Sequence, residues 1–127
     1  MTNNSTYVDF WFEDGILLQI FKPEVDKVTL EVAKAVVRER KKLTKGKKYP
    51  LLVDFSYASS IDKEARDYWA TEEGKDDVSY SGLVMSNYLA FLAAKLFMAF
   101  NKPGITTELF RTRQQAKEWL LSYKHNE

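Results

Sequence analysis

The chain has 127 residues, 45% apolar and 14% aromatic, which is enough to bury one core and excludes a disordered segment. Its formal net charge of +1 gives no global pull toward nucleic acid or an anionic membrane. The absence of cysteine excludes disulfides, thiolate nucleophiles and Cys-ligated zinc, and fits a reducing compartment.

Residues 1–6 read as a short polar lead-in rather than a signal peptide. Val8, Phe10 and Phe12 then alternate with Asp9 and Trp11, a strand period that resumes at Ile16, Leu18 and Ile20. Keeping both apolar rows on one face favours a three-residue loop over Glu13-Asp14-Gly15. A two-residue Asp14-Gly15 loop would set Phe10 opposite Gln19. Pro23 ends the second strand, and Thr29 is a good N-cap for a helix with Leu30, Ala33, Val36, Val37 and Leu43 as its stripe. Gly46 ends that helix, with Lys41, Lys42 and Lys45 at its C-terminus.

Leu51-Leu52-Val53-Asp54-Phe55 is nearly apolar on both faces, the sign of an interior strand. Asp62 is placed to cap a helix with Ala65, Tyr68 and Trp69 facing inward, and Gly74-Lys75-Asp76-Asp77 reads as a polar loop. Tyr80–Ser86 reads as a strand and Tyr88–Phe100 as a helix stopped by Asn101-Lys102-Pro103-Gly104. That helix is too short for a bilayer, which needs about 20 residues. Thr107–Phe110 is a short strand. Thr112 and Gln115 form a capping box for a last helix with Ala116, Trp119, Leu120 and Tyr123 inward. The order ββαβαβαβα predicts an α/β fold: a mixed, mostly parallel sheet of about five strands that opens with a β-hairpin, and four helices. One domain is expected over residues 1–127, with a tail at 124–127.

Three segments resemble the STAS domain, and more closely the small stand-alone bacterial proteins of the SpoIIAA-like superfamily. They are Leu51–Ser56 followed by a loop and a helix, Ser86-Asn87 leading into an apolar helix, and Glu108–Thr112 followed by Gln115–Leu120. The resemblance runs from about Tyr7 to Tyr123. It implies a cytoplasmic regulatory or protein-interaction domain. Anti-sigma-factor antagonists of this fold carry Asp-Ser-Ser-Gly at the helix start after the central strand, and the first Ser is phosphorylated. Alignment puts Asp62 on the Asp of that motif and Lys63 on the phosphorylated position, followed by Glu64 and Ala65. Lysine cannot take the phosphate, so the switch does not carry over; Ser59 or Ser60 would serve only in a shifted register.

Several candidates are weighed against plain structural roles. Asp54 and Asp62 could form an acid pair, but a helix cap and a loop acceptor are the simpler roles. Ser56, Ser59 and Ser60 have no general base in view, since the one histidine is His125 near the end of the chain. Glu72-Glu73 and Asp76-Asp77 lack calcium-loop spacing and read as a solvated loop. No Gly-rich phosphate turn follows the central strand. The run Arg38–Lys48 has seven basic residues in eleven and no aromatic for base stacking, so it reads as a solvated face, with an acidic protein as its best partner. The helix Tyr88–Phe100 is apolar all round. It is expected to be a homodimer seam through Leu92, Leu96 and Ala99 or through Phe91 and Met98, the wall of an apolar-ligand cavity, or plain core.

The first expectation is therefore a non-enzymatic regulatory or interaction protein, homodimeric, with no cofactor, metal or nucleic acid. Its partner surface is placed at Ser56, Ser59, Ser60, Asp62 and Lys63, and its dimer or ligand face at Phe91, Leu92, Lys95, Leu96 and Met98. The alternative is a binder of a small apolar molecule or lipid, because related folds are grouped with lipid-carrying domains.

Overall fold

The computed structural model describes residues 3–4, 6–100 and 104–125. The helix stop expected at Asn101-Lys102-Pro103, and residues 1, 2, 5, 126 and 127 of the expected lead-in and tail, lie outside the described residues.

In chain order the strands are β1 (Asn3–Asn4), β2 (Val8–Glu13), β3 (Ile16–Phe21), β4 (Lys27–Val28), β5 (Tyr49–Asp54), β6 (Ser60–Ile61), β7 (Val78–Val84) and β8 (Thr107–Phe110). The helices are α1 (Leu30–Thr44), α2 (Lys63–Trp69), α3 (Glu72–Lys75), α4 (Tyr88–Phe100) and α5 (Arg113–His125). One sheet runs β1-β2-β3-β5-β7-β8, and β4 pairs with β6 beside it. The pairs β1–β2 and β2–β3 are antiparallel; β3, β5, β7 and β8 are mutually parallel. The expected α/β order is therefore present. It gains the two-residue strands β1, β4 and β6, and a fifth helix, the single turn α3, where a polar loop was expected.

The parallel strands advance in one direction across the sheet. Crossovers of one hand then put α1, α2 and α4 on the same face. Only α5, which follows the last strand, is left to cover the other. The two cores match this division. Phe10, Leu17, Phe21, Leu51, Val53 and Leu109 pack with residues of α1, α2 and α4. Ile16, Leu18, Ile20, Leu52, Tyr80 and Val84 pack under Ala116 and Leu120 of α5. Both of those α5 residues are fully buried, and burying a leucine contributes about 1.5–3 kcal/mol. The α5 end of the sheet is also tied by charge: Lys117 bonds Glu13 and Asp14 at the β2–β3 turn. Its hydrogen bond holds the Glu13 carboxyl below the ordinary carboxylate value and raises Lys117 in turn.

The hairpin differs from the expected one. Phe10 pairs with Gln19 and Glu13 with Ile16, so the loop is the two-residue Asp14-Gly15. Both loop residues have positive φ, 54° and 80°, as in a type I′ turn. The expectation assumed that β3 buries one face. All six of its residues are buried, because helices cover both sides, so alternation imposes no register there. Gln19 faces the helix side, where Arg40 donates to its Oε1 at 3.3 Å.

The helix ends are set largely as expected. The Thr29 side chain accepts from the Val32 amide at 3.2 Å, and α1 closes through left-handed Lys45 and Gly46. Thr112 Oγ1 accepts from the Gln115 amide, while the Gln115 side chain reaches back to the Arg111 amide rather than to Thr112 itself. Asp62 stands at the N-cap of α2 but makes no side-chain cap bond.

The acidic run around Gly74 is solvated at Glu72, Glu73 and Asp76, as expected, but not at Asp77. Asp77 is 4% exposed and grips Arg40 of α1, itself 2% exposed. Arg40 Nε and Nη2 donate to the two Asp77 oxygens at 2.9 and 2.8 Å, and Thr44 Oγ1 adds a third bond to the same carboxylate at 3.2 Å. Arg40 Nη2 also donates to the Gly74 carbonyl. A Cβ at Gly74 would fall 2.2 Å from the Tyr68 carbonyl oxygen, so this close approach of α3 to α2 requires glycine. The basic run is likewise not one continuous solvated face: Arg40 is buried in this cluster, and Lys41 pairs with Asp76 at 2.9 Å.

Candidate functional site

The helix α4 crosses from β7 to β8 over the sheet. Its inward residues alternate in size: Phe91, Phe97 and Met98 are half-buried large side chains, and Ala94 between them is small. A small residue between aromatics on a roof leaves space beneath it. That space is a cavity of about 370 Å³, within the range of small-molecule sites. Leu51 and Val53 of β5, Phe55 just beyond its end, Leu83 of β7 and Leu109 of β8 form its floor; Trp69 of α2 forms a side and Ala94, Phe97 and Met98 the roof. Gln19, Arg40, Arg66, Asp67 and Lys75 also line it, and the hydroxyls of Ser81 and Thr107 meet at 3.0 Å in its floor.

A second chamber, also about 370 Å³, lies under the start of α4, between Ser59 and Ser60 on one side and Ser86, Asn87, Ala90 and Ala93 on the other. Phe55, Ile61, Arg66, Ala94 and Phe97 line both chambers. The partition is centred on Arg66, whose guanidinium lies 4.4 Å from the Phe97 ring centroid. Its Nη1 donates to the Ile61 carbonyl at 2.6 Å, which ties it to the loop before α2.

The expected site residues fall into separate roles. Ser59 and Ser60 do meet the α4 wall, in the second chamber. Ser59 Oγ donates to the Asp26 carbonyl at 3.1 Å, and Ser60 belongs to β6. Ser56 does not join them as a free hydroxyl: its backbone amide and its Oγ both donate to Asp54 Oδ1. Asp54 is 5% exposed, and its other oxygen accepts from Arg113 Nε at 2.8 Å, so this carboxylate holds the β5 end to α5. Lys63 is exposed on the first turn of α2 and pairs with Asp67 at 2.7 Å. Asp62 and Lys63 do not line either chamber.

On α4 the face expected as one unit divides. Phe91 and Met98 turn inward, so they do not belong to an exposed seam. Leu92, Leu96 and Ala99 are exposed, as is Leu89, which is 76% exposed against 64% for Leu96. Plain core is thus excluded for the outer half of this helix. Lys95 is exposed, and its ammonium lies 5.4 Å from the Phe91 ring centroid. Tyr68, beside the cavity wall on α2, is buried, and burial raises its phenol above the usual value.

Gln19, Arg40, Arg66, Asp67, Trp69 and Lys75 carry the polar side of the cavity, and sequence reasoning assigned a site role to none of them. Gln19 had a signal, being the one polar residue in an otherwise apolar strand. So had Arg40, which continues the Ala33, Val36, Val37 stripe of α1. No group of three or more His, Cys, Asp or Glu side chains is placed to hold a metal among the described residues. No described helix is long and apolar enough to cross a membrane.

A parallel βαβ sheet opened by a hairpin, with three crossover helices on one face and a closing helix on the other, is a SpoIIAA-like fold. The same fold occurs in the crystal structure of an uncharacterized protein of the DUF3478 family from Shewanella loihica PV-4, with a TM-score of 0.63 at 15% identity over 93% of this chain and 98% of that one. Within this class the chain belongs to the DUF7793 family, a domain of unknown function whose model matches residues 10–124. No curated protein matches the chain significantly.

Proposed function

We propose that this protein is a non-enzymatic module that binds a small apolar molecule beneath α4. The observation that carries this reading is the cavity of about 370 Å³ with a floor of Leu51, Val53, Phe55, Leu83 and Leu109 and a roof of Phe97 and Met98. Interiors are normally close-packed, and apolar space of this size beside a helix that itself lacks outer cover is a place for a ligand. The cavity gives this reading precedence over a purely regulatory module, since Ser56 and Lys63 are engaged in local bonds. The test is twofold. Native mass spectrometry of gently purified protein should show an adduct that denaturing conditions remove. Titration with 1-decanol should change the indole fluorescence saturably at one site per chain, because Trp69 lines the cavity. A clean apo mass together with no saturable decanol response would sink the reading.

A second reading, a homodimer through the outer face of α4, is favoured by the exposure of Leu89, Leu92 and Leu96. Their spacing of three and four is that of a helix–helix seam, and a two-fold contact would set each leucine row against its own copy. Contiguous apolar area of this kind is unusual on a monomer. Light scattering is expected to give twice the 14.8 kDa chain mass, and Leu96→Glu to return it to one. Wild-type protein that runs as a monomer at high concentration would rule the seam out and leave the cavity untouched.

A further inference from the structure

Two donors on α2 are buried without a partner. The Arg66 Nε–H and the Trp69 indole Nε1–H are both shielded from solvent, and neither meets an acceptor among the described residues. Both side chains line the first chamber, the one beneath Ala94, Phe97 and Met98. They stand three residues apart on one helix, and so share a face. Buried donors are nearly always paired, so two exceptions in one cavity wall indicate what the cavity takes up.

Arg66 is also a cation with no carboxylate paired to it among the described residues. Its sequence neighbour Asp67 pairs with Lys63 instead. Of its guanidinium, Nη1 is engaged by the Ile61 carbonyl and one flat face by the Phe97 ring. The edge left over, Nε–H beside Nη2–H, is the edge that holds a carboxylate by two parallel bonds. Arg40 shows the same edge in use a short way along the cavity, where its Nε and Nη2 hold Asp77 at 2.9 and 2.8 Å. At Arg40 the chain supplies the anion; at Arg66 it does not.

We infer that the molecule bound beneath α4 is a long-chain carboxylate, with its head on the Nε–Nη2 edge of Arg66 beside the Trp69 indole N–H and its chain in the first chamber. This names the ligand class for the cavity reading above and rests on it. Arg40 is not the anchor, because Asp77 already fills its fork, and Lys75, the other cation of the lining, stands 3.8 Å from Glu72. A neutral head would leave the Arg66 cation uncompensated against an apolar wall, which charge burial disfavours.

Decanoate and 1-decanol share a chain and differ in the head. Titrated calorimetrically against the wild-type chain at neutral pH, decanoate is expected to bind roughly ten- to a hundredfold more tightly than decanol, as for a charge-assisted pair. Arg66→Met should erase that preference while keeping decanol binding. Arg66→Lys keeps the charge without the fork and should retain only part of it. Equal wild-type affinity for the two probes overturns the carboxylate inference and leaves the cavity reading standing. Failure of both to bind overturns the cavity reading itself. The wild-type comparison decides the matter even where Arg66→Met folds poorly.

Discussion

Asp77→Ala is expected to lose about 3–5 kcal/mol of folding free energy, a large part of the 5–15 kcal/mol that holds a domain of this size folded. The loss does not measure the worth of the Arg40–Asp77 bond. It is the consequence of leaving a guanidinium buried with its counter-ion gone. Both side chains are 3% exposed, so solvent cannot step in without opening α1 from α3. Thr44 loses the shorter of its two bonds in the same substitution, keeping the Lys41 carbonyl at 3.5 Å, and only the Gly74 carbonyl and Gln19 remain to Arg40. With a urea slope of roughly 1–3 kcal/mol per molar, the unfolding midpoint should fall by about 2 M. The double change Arg40→Met with Asp77→Val should recover most of that, because a buried ion pair exchanged for apolar volume is close to neutral. The singles Arg40→Met and Asp77→Val, measured with that double by urea denaturation, complete the cycle. An Asp77→Ala midpoint within about 0.3 M of wild type would mean that Arg40 reaches water and that the cluster is not closed.

This cluster also marks where sequence reading stopped. Periodicity located α1, and continuous apolar runs located α4 and β5, because each pattern matches its surroundings. It missed the hairpin register because β3 is covered on both faces, so a period of two has nothing solvent-facing to align against. Asp77 was taken as a loop residue for a related reason. Acidic residues in a Gly-containing stretch look solvated unless their cationic partner is known, and that partner is 37 residues away on α1. The cavity was legible only as a composition. Alanines beside aromatics on α4 suggested room, but which residues turn inward depends on how α4 crosses β7 and β8. The polar half of the site came from α2, where Arg66 and Trp69 look like ordinary members of an amphipathic helix. Their orphaned donors appear only once the packing around them is known.

Ala94→Trp should abolish chain binding while leaving the fold intact. Ala94 is the one small residue of α4 that lines both chambers, and it sits one turn before Met98 and three residues before Phe97. An indole there projects into the space an alkyl chain would use. Excluding as few as three methylenes loses about 2.4 kcal/mol at 0.8 kcal/mol each, or roughly fiftyfold in affinity. Full occlusion removes saturable binding altogether. Filling existing space gains contacts that offset part of the overpacking strain, so the net cost in stability stays within about 1–3 kcal/mol. Decanol titration and urea denaturation on the same preparation separate the two effects. Leu89→Gln, on the exposed side of the same helix, is the matching control and should leave decanol affinity unchanged. The reverse pattern, with decanol binding kept by Ala94→Trp and lost by Leu89→Gln, would place the apolar molecule on the outside of α4 and make the helix a surface rather than a roof.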